Sequence, residues 1–197
     1  MTNNSVSLVK GGNISLSKNN IQLKKVTVGL GWKAQEYTGS DFDLDASAFG
    51  LGSNDKCLTS QWFIFYNQTE SIDGTIKHLG DNQTGGSGKF DDEQIFVNLE
   101  ALPQSIKKVV FVVTIHDAEA RRQRFGQVDN AYIRIVNYET EEEFARFELT
   151  DDMSVETSML FGELYRSNNE WKFKAVGQGY KEGLIGFCNK YGINANN

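Results

Sequence analysis

The sequence predicts an all-β protein, a single antiparallel β-sandwich with a few short helices. Three observations carry that prediction. Apolar residues recur at every second position through most of the chain, the period at which strand side chains alternate between faces. Nineteen glycines and one proline cut the 197 residues into short runs, the turn-rich rhythm of sandwiches and barrels. Helical spacing of apolar residues is confined to one short segment near the C-terminus.

Element by element, Val6 and Leu8, then Ile14 and Leu16 beyond Gly11-Gly12, read as a first hairpin. Val26, Val28 and Leu30 alternate in "KKVTVGLGW". "FDLDASAF" alternates from Phe42 to Phe49. "QWFIFYN" (61–67) and "KKVVFVVTIHD" (107–117) are apolar without alternation, the mark of central strands covered on both faces. In "EQIFVNLE", Ile95, Val97 and Leu99 share a side. Further strands are expected at "NAYIRIVNY", "EFARFELT", "SMLFGELYR" and "EWKFKAVGQGY". Leu184, Phe187, Cys188 and Tyr191 fall at helical spacing, weakened by Gly183 and Gly186. "DAEARRQRFGQ" (117–127) fits one helical turn or an ordered loop.

A chain of this length is most simply one domain, spanning residues 1–193 with a frayed tail at 194–197, able to bury about 70% of its unfolded surface. The formal charge of −6 and pI near 5.0 argue against a nucleic-acid partner, which needs a basic face to displace counterions. Cys57 and Cys188 stand far apart with no CxxC neighbour, the usage of a reducing compartment. The N-terminus carries no apolar leader, and no run reaches the roughly 18 residues needed to span a bilayer. These features predict a cytoplasmic protein with no direct membrane insertion, reaching a membrane only through partners.

Chemistry concentrates in two acidic segments. In "GSDFDLDASAFG", Asp41, Asp43 and Asp45 alternate with Phe42 and Leu44, so a strand would stand the carboxylates on one face. Neighbours about 7 Å apart repel by about 2 kcal/mol at an effective dielectric near 20. Solvation relieves that repulsion, and so does a cation. The second segment, "GDNQTGGSGKFDDEQIF" (80–96), opens with Asp81 and Asn82 and closes with Asp91, Asp92 and Glu93. Its glycines permit backbone conformations that turn carbonyls inward. Calcium takes six to eight oxygens from carboxylates, amides and main-chain carbonyls, and this segment offers each kind. Neither segment is an EF-hand: the sixth position from Asp41 is Ala46, and Gln83 and Gly85 stand where the other would need Asp or Asn. Each alone is short of a coordination shell, and each alone also reads as a solvated acidic turn.

In order along the chain, "SLVKGGNISL", "VTVGLGW", "FDLDASAF", "FIFYNQT", "GDNQTG", "DDEQIFVNL", "VVFVVTIHDAEARRQRFGQV", "NAYIRIVN", "ARFELT", "FGELYR" and "EWKFKAVGQGY" resemble the TerD-like family of tellurium-resistance and stress-response proteins. The resemblance runs from about Ser5 to Ile193. It implies a calcium-binding β-sandwich of the bacterial cytoplasm that holds Ca2+ at one end of its sheets. It also implies other Ter proteins as partners, including a membrane-integral component. Residue by residue, it carries metal-binding roles onto Asp43, Asp45, Asp81, Asn82, Asp91, Asp92 and Glu93, with Asn67 as an amide ligand. Two departures predict weaker binding. The glycine loop reads "GGSGKF", with Ser87 and Lys89 where the family alternates glycine with acids, and Lys33 replaces an acidic residue. The expected function is a non-enzymatic, calcium-stabilised switch or scaffold for partners. The alternatives are a metal-independent interaction module with vestigial acidic loops, and an enzyme acting on oxyanions through Cys57 or Arg121 to Arg124.

Other residues read as structural. His116-Asp117 lacks a nucleophile elbow beside it, and His78 reads as a surface residue. Two histidines and two scattered cysteines do not make a zinc or copper site. Nothing near Cys57 marks a lowered thiol pKa. Arg121, Arg122 and Arg124 read as a solvated face, and Tyr165, Trp171 and Phe173 as core.

Overall fold

The computed structural model describes residues 5–18, 22–34, 43–80, 91–149, 155–168 and 170–194. Twelve strands are present among them: β1 (Val6–Leu8), β2 (Asn13–Ser15), β3 (Lys25–Ala34), β4 (Leu44–Leu51), β5 (Phe63–Ile64), β6 (Ile76–His78), β7 (Glu93–Asn98), β8 (Lys108–Ile115), β9 (Val128–Asn137), β10 (Glu143–Glu148), β11 (Ser158–Ser167) and β12 (Glu170–Tyr180). Two short helices accompany them, α1 (Ala118–Arg121) and α2 (Gly183–Tyr191). The strands form two six-stranded sheets, ordered β1-β10-β9-β3-β7-β6 and β2-β12-β11-β8-β4-β5. The expected sandwich is therefore what the chain builds.

The core lies between the sheets, where alternating positions deliver their apolar side chains. Val26, Val28 and Leu30 from β3 and Ile95 and Val97 from β7 face Leu44, Ala46 and Ala48 from β4 and Phe111 and Val113 from β8. β8 carries no alternation because its other face is covered too. There Val110 and Val112 meet Phe187, Cys188 and Tyr191 of α2 in a second apolar cluster. Helix α2 stops at Gly192, whose φ of +77° is the left-handed cap that glycine adopts without Cβ strain.

Three expectations fail, each for a physical reason. β1 and β2 are not a hairpin: β1 pairs in parallel with β10 in one sheet, and β2 pairs with β12 in the other. The Gly11-Gly12 turn, where Gly11 has φ of +80°, carries the chain across the open side of the sandwich instead. The β1–β10 pair also makes the first sheet mixed rather than purely antiparallel. The "QWFIFYN" run is not a central strand. Ser60–Trp62 forms a 3-10 turn, and β5 is a two-residue edge strand whose rings stack, Phe63 on Phe49 at 4.5 Å and on Phe65 at 4.4 Å. Finally β6 escaped the sequence pattern, because three residues are too few to show a period.

Candidate functional site

One end of the sandwich gathers the acidic segments. β3 runs toward it, and its antiparallel neighbours β7 and β9 start from it. β6, antiparallel to β7, finishes there. So does β8, which runs antiparallel to β4. The last residues of β3 and β6 and the first residues of β4 and β7 thus lie at this end.

Asp91, Asp92 and Glu93 enter β7 in succession and point three ways. Glu93 turns inward, with its side chain only 1% exposed. Its Oε2 accepts the Ala46 N–H at 2.5 Å and lies 3.2 Å from His78 Nε2. β5 pairs with β4 only at Ala48 and Phe49, so the Ala46 N–H stands at an open strand edge, and Glu93 caps it. Asp92 turns to the end of β3. Its N–H donates to Leu30 O at 2.8 Å, and its Oδ2 accepts the Trp32 N–H at 2.8 Å. Bonds of this charge-assisted kind contribute about 1.5–3 kcal/mol each.

Asp91 turns outward over the first sheet, and its side chain is completely buried. Arg134 grips it with two bonds, Nε to Oδ1 at 2.6 Å and Nη2 to Oδ2 at 2.9 Å. Tyr132 Oη donates to Oδ1 at 3.0 Å and Gln94 Nε2 to Oδ2 at 2.9 Å. The Tyr132 hydroxyl is pushed up to about 12, first by burial and then by the Asp91 charge. Hydrogen bonding to Asp91 also raises Arg134 above its ordinary value, so it stays charged.

In the first segment, Asp45 lies on the outer face of the second sheet, 8% exposed and opposite Thr114. Its Oδ2 is 3.5 Å from His116 Nδ1, while Asp43 O accepts the His116 N–H at 2.8 Å. Ser47 follows on the same face, and its buried Oγ has no hydrogen-bond partner among the described residues. Asn67 is exposed on the turn between Phe65 and Gln68. Asp81 and Asn82 lie outside the described residues. The fold thus brings the backbone of the Asp43–Asp45 segment next to Glu93 through the Glu93–Ala46 bond, but Asp45 faces the outer side of the second sheet and Glu93 its inner side, so these two carboxylates do not share one space. It sends Asp91 elsewhere. Among the described residues, no three His, Cys, Asp or Glu side chains group closely enough to hold a metal.

His78 is not a surface residue. It shares the inward face with Ile76, and its side chain is 1% exposed against Glu93. The parity of "TIKH" carried that signal. Trp32, Tyr132 and Arg134, which hold the acidic residues, were also not singled out in the sequence. The alternation of Tyr132 and Arg134 with Ile133 and Ile135 placed them on one face but said nothing of their partners. Cys57 matches expectation in the stronger sense. Burial, then the nearby Cys188, pushes its thiol up to about 12, so it lacks the thiolate character of a redox nucleophile. Arg124 pairs with Glu119 at 3.0 Å on a solvated face.

Comparison with known proteins gives consistent results. The family described as TerD domain matches residues 4–191. Tellurium resistance protein TerD of Serratia marcescens is 59% identical over 191 residues, covering 97% of this chain and 99% of its own. General stress protein 16U of Bacillus subtilis (strain 168) is 53% identical over 189 residues, 95% and 97% of the two chains. A crystal structure described as a homologue of telluride resistance protein (TerD) from Streptomyces coelicolor A3(2) superposes with a TM-score of 0.65. It covers 84% of this chain and 95% of that one at 23% identity, a likeness of fold.

Proposed function

Because the chain belongs to the TerD domain family, we propose that it is a non-enzymatic, calcium-binding stress-response protein associated with resistance to tellurite and other chemical insults. The observation that carries this reading is the Glu93 carboxylate on the Ala46 N–H, one residue beyond Asp45. It joins the two acidic segments at one end of the sandwich. The donor chemistry fits calcium. Asp43, Asp45, Asp92 and Glu93 offer hard carboxylate oxygens, and the sequence before Asp92 is rich in glycine (Gly80, Gly85, Gly86, Gly88). An ion there would supply charge that lets mutually repelling carboxylates sit together and would couple the start of β4 to the start of β7. The ordered end then offers partners one surface, in the manner of a switch or scaffold. Other Ter proteins, with a membrane-integral component among them, are the proposed partners, and the cytoplasm the proposed location. No helix among the described residues is long and apolar enough to cross a membrane.

Calorimetric titration of chelator-treated protein with calcium and then magnesium tests this reading. Saturable calcium uptake that Asp45→Asn weakens is the expected result. A second reading, the metal-independent interaction module, draws on the backbone N–H groups that already engage Asp92 and Glu93. It predicts neither heat of binding nor a shift in melting temperature at millimolar calcium.

A further inference from the structure

Three consecutive acids at the entry to β7 have three destinations, and Asp91's is unlike the others. A carboxylate has about four lone-pair directions. Those of Asp91 are taken by Arg134 Nε, Arg134 Nη2, Tyr132 Oη and Gln94 Nε2. The grip crosses an intervening strand. β3 lies between β7 and β9, and Gly29 pairs with Gln94 on one side and Arg134 on the other. A Cβ at Gly29 would overlap the Asp91 carboxylate, and one at Gly31 would overlap the Tyr132 ring. Two missing side chains thus open the track along which β7 and β9 join hands. The hold extends to β10. Arg146 lies 4.0 Å over the Tyr132 ring, and Glu143 accepts from both Arg134 Nη1 at 3.2 Å and Arg146 Nη2 at 2.9 Å.

We infer that Asp91 is the anchor of the acidic end rather than one of its ligands, and that Arg134 and Tyr132 are positioning residues for ion binding. They pin the backbone at the entry to β7 and so set where the next two residues are held, Asp92 against the Trp32 N–H and Glu93 against the Ala46 N–H. The positioning part rests on the calcium reading above, while the anchoring part stands on the clamp itself. Partners that orient metal ligands without touching the ion typically govern affinity by 10–100-fold.

The two roles for Asp91 predict opposite signs in charge-conserving variants. Arg134→Lys keeps the positive charge but loses the two-pronged geometry, and Tyr132→Phe loses one donor. If Asp91 is the anchor, calcium titration shows affinity falling about tenfold in Arg134→Lys, with the stoichiometry of the wild type. Tyr132→Phe moves the same way by less, and decides the matter if Arg134→Lys does not fold. If Asp91 is a ligand, loosening its clamp frees it, and affinity rises in both variants. That result overturns the inference. So does an unchanged affinity beside a lowered melting temperature, which makes the clamp merely structural. Thermal unfolding in chelator separates failure of this inference from failure of the calcium reading. There Asp91→Asn and Arg134→Gln are each expected to destabilise, with the double variant no worse than the poorer single one. Additive effects refute the anchor. Wild-type protein that takes up no calcium refutes the positioning role, while the chelator measurements still decide the anchor.

Discussion

Glu93 and Asp92 show how little local sequence says about where a carboxylate points. Both belong to one acidic run, yet one caps the open edge of β4 and the other the end of β3. Asp92→Asn keeps an acceptor for the Trp32 N–H but removes the charge. It is therefore expected to lower calcium affinity at least about tenfold, equivalent to 1.4 kcal/mol, and to cost about 1 kcal/mol of stability in chelator, the difference between a charged and a neutral acceptor. Gly29→Ala is expected to destabilise the fold by about 1–3 kcal/mol, as overpacking does, because its methyl group would overlap the Asp91 carboxylate. Equilibrium urea unfolding measures it. Cys57, with its thiol pushed up to about 12, leaves about one thiolate in ten thousand at pH 8. Native protein is expected to resist alkylation by iodoacetamide at that pH and to react readily once unfolded in urea. At this scale the sequence made the acidic residues visible as candidates. It could not show that Asp91 has an arginine partner 43 residues away, since that pairing depends on strand order and on a glycine between the two.

Strands carried the most legible signal. β3, β7, β8, β9 and β12 follow their apolar patterns because each has neighbours on both sides, and burial of one or both faces sets the alternation. Edge elements were harder to read. β1, β2, β5 and β6 have two or three residues each, and their pairing depends on which sheet offers a free edge. Phe111 on β8 is completely buried between the sheets, and Phe111→Ala is expected to cost about 3–5 kcal/mol by urea unfolding. The β9–β10 pair has a pH signature through Glu143. Burial would raise its carboxyl, but hydrogen bonds from Arg146, Ser5 and Arg134 outweigh that and hold it below its ordinary value. A carboxyl held low contributes stability above its unfolded pKa of about 4.3 and loses it as pH falls through the lower native value. The stability gap between wild type and Glu143→Gln is therefore expected to narrow as pH drops below about 4.3. A gap that widened in acid would contradict the assignment.

The whole molecule is a sandwich with Asp91, Asp92 and Glu93 at one end and close packing at the other. At the closed end Arg166 donates to Leu102 O at 2.8 Å and lies 4.4 Å from the Trp171 ring, whose Nε1 donates to Leu99 O at 3.1 Å. The sheet architecture was legible in the sequence because it follows from period-two burial and from an ordered series of motifs. The contact between the start of β4 and Glu93 was only conjectured, since no local pattern records which strand ends coincide, and the opposite facing of Asp45 and Glu93 was not foreseen. The most direct test of the account is the melting temperature and binding heat of chelator-treated protein under added calcium. Saturable binding is expected, with stabilisation of about 3–4 kcal/mol at 100–1,000 times Kd, both diminished in Asp45→Asn and Asp92→Asn. A flat titration and an unmoved melting temperature at millimolar calcium would contradict it.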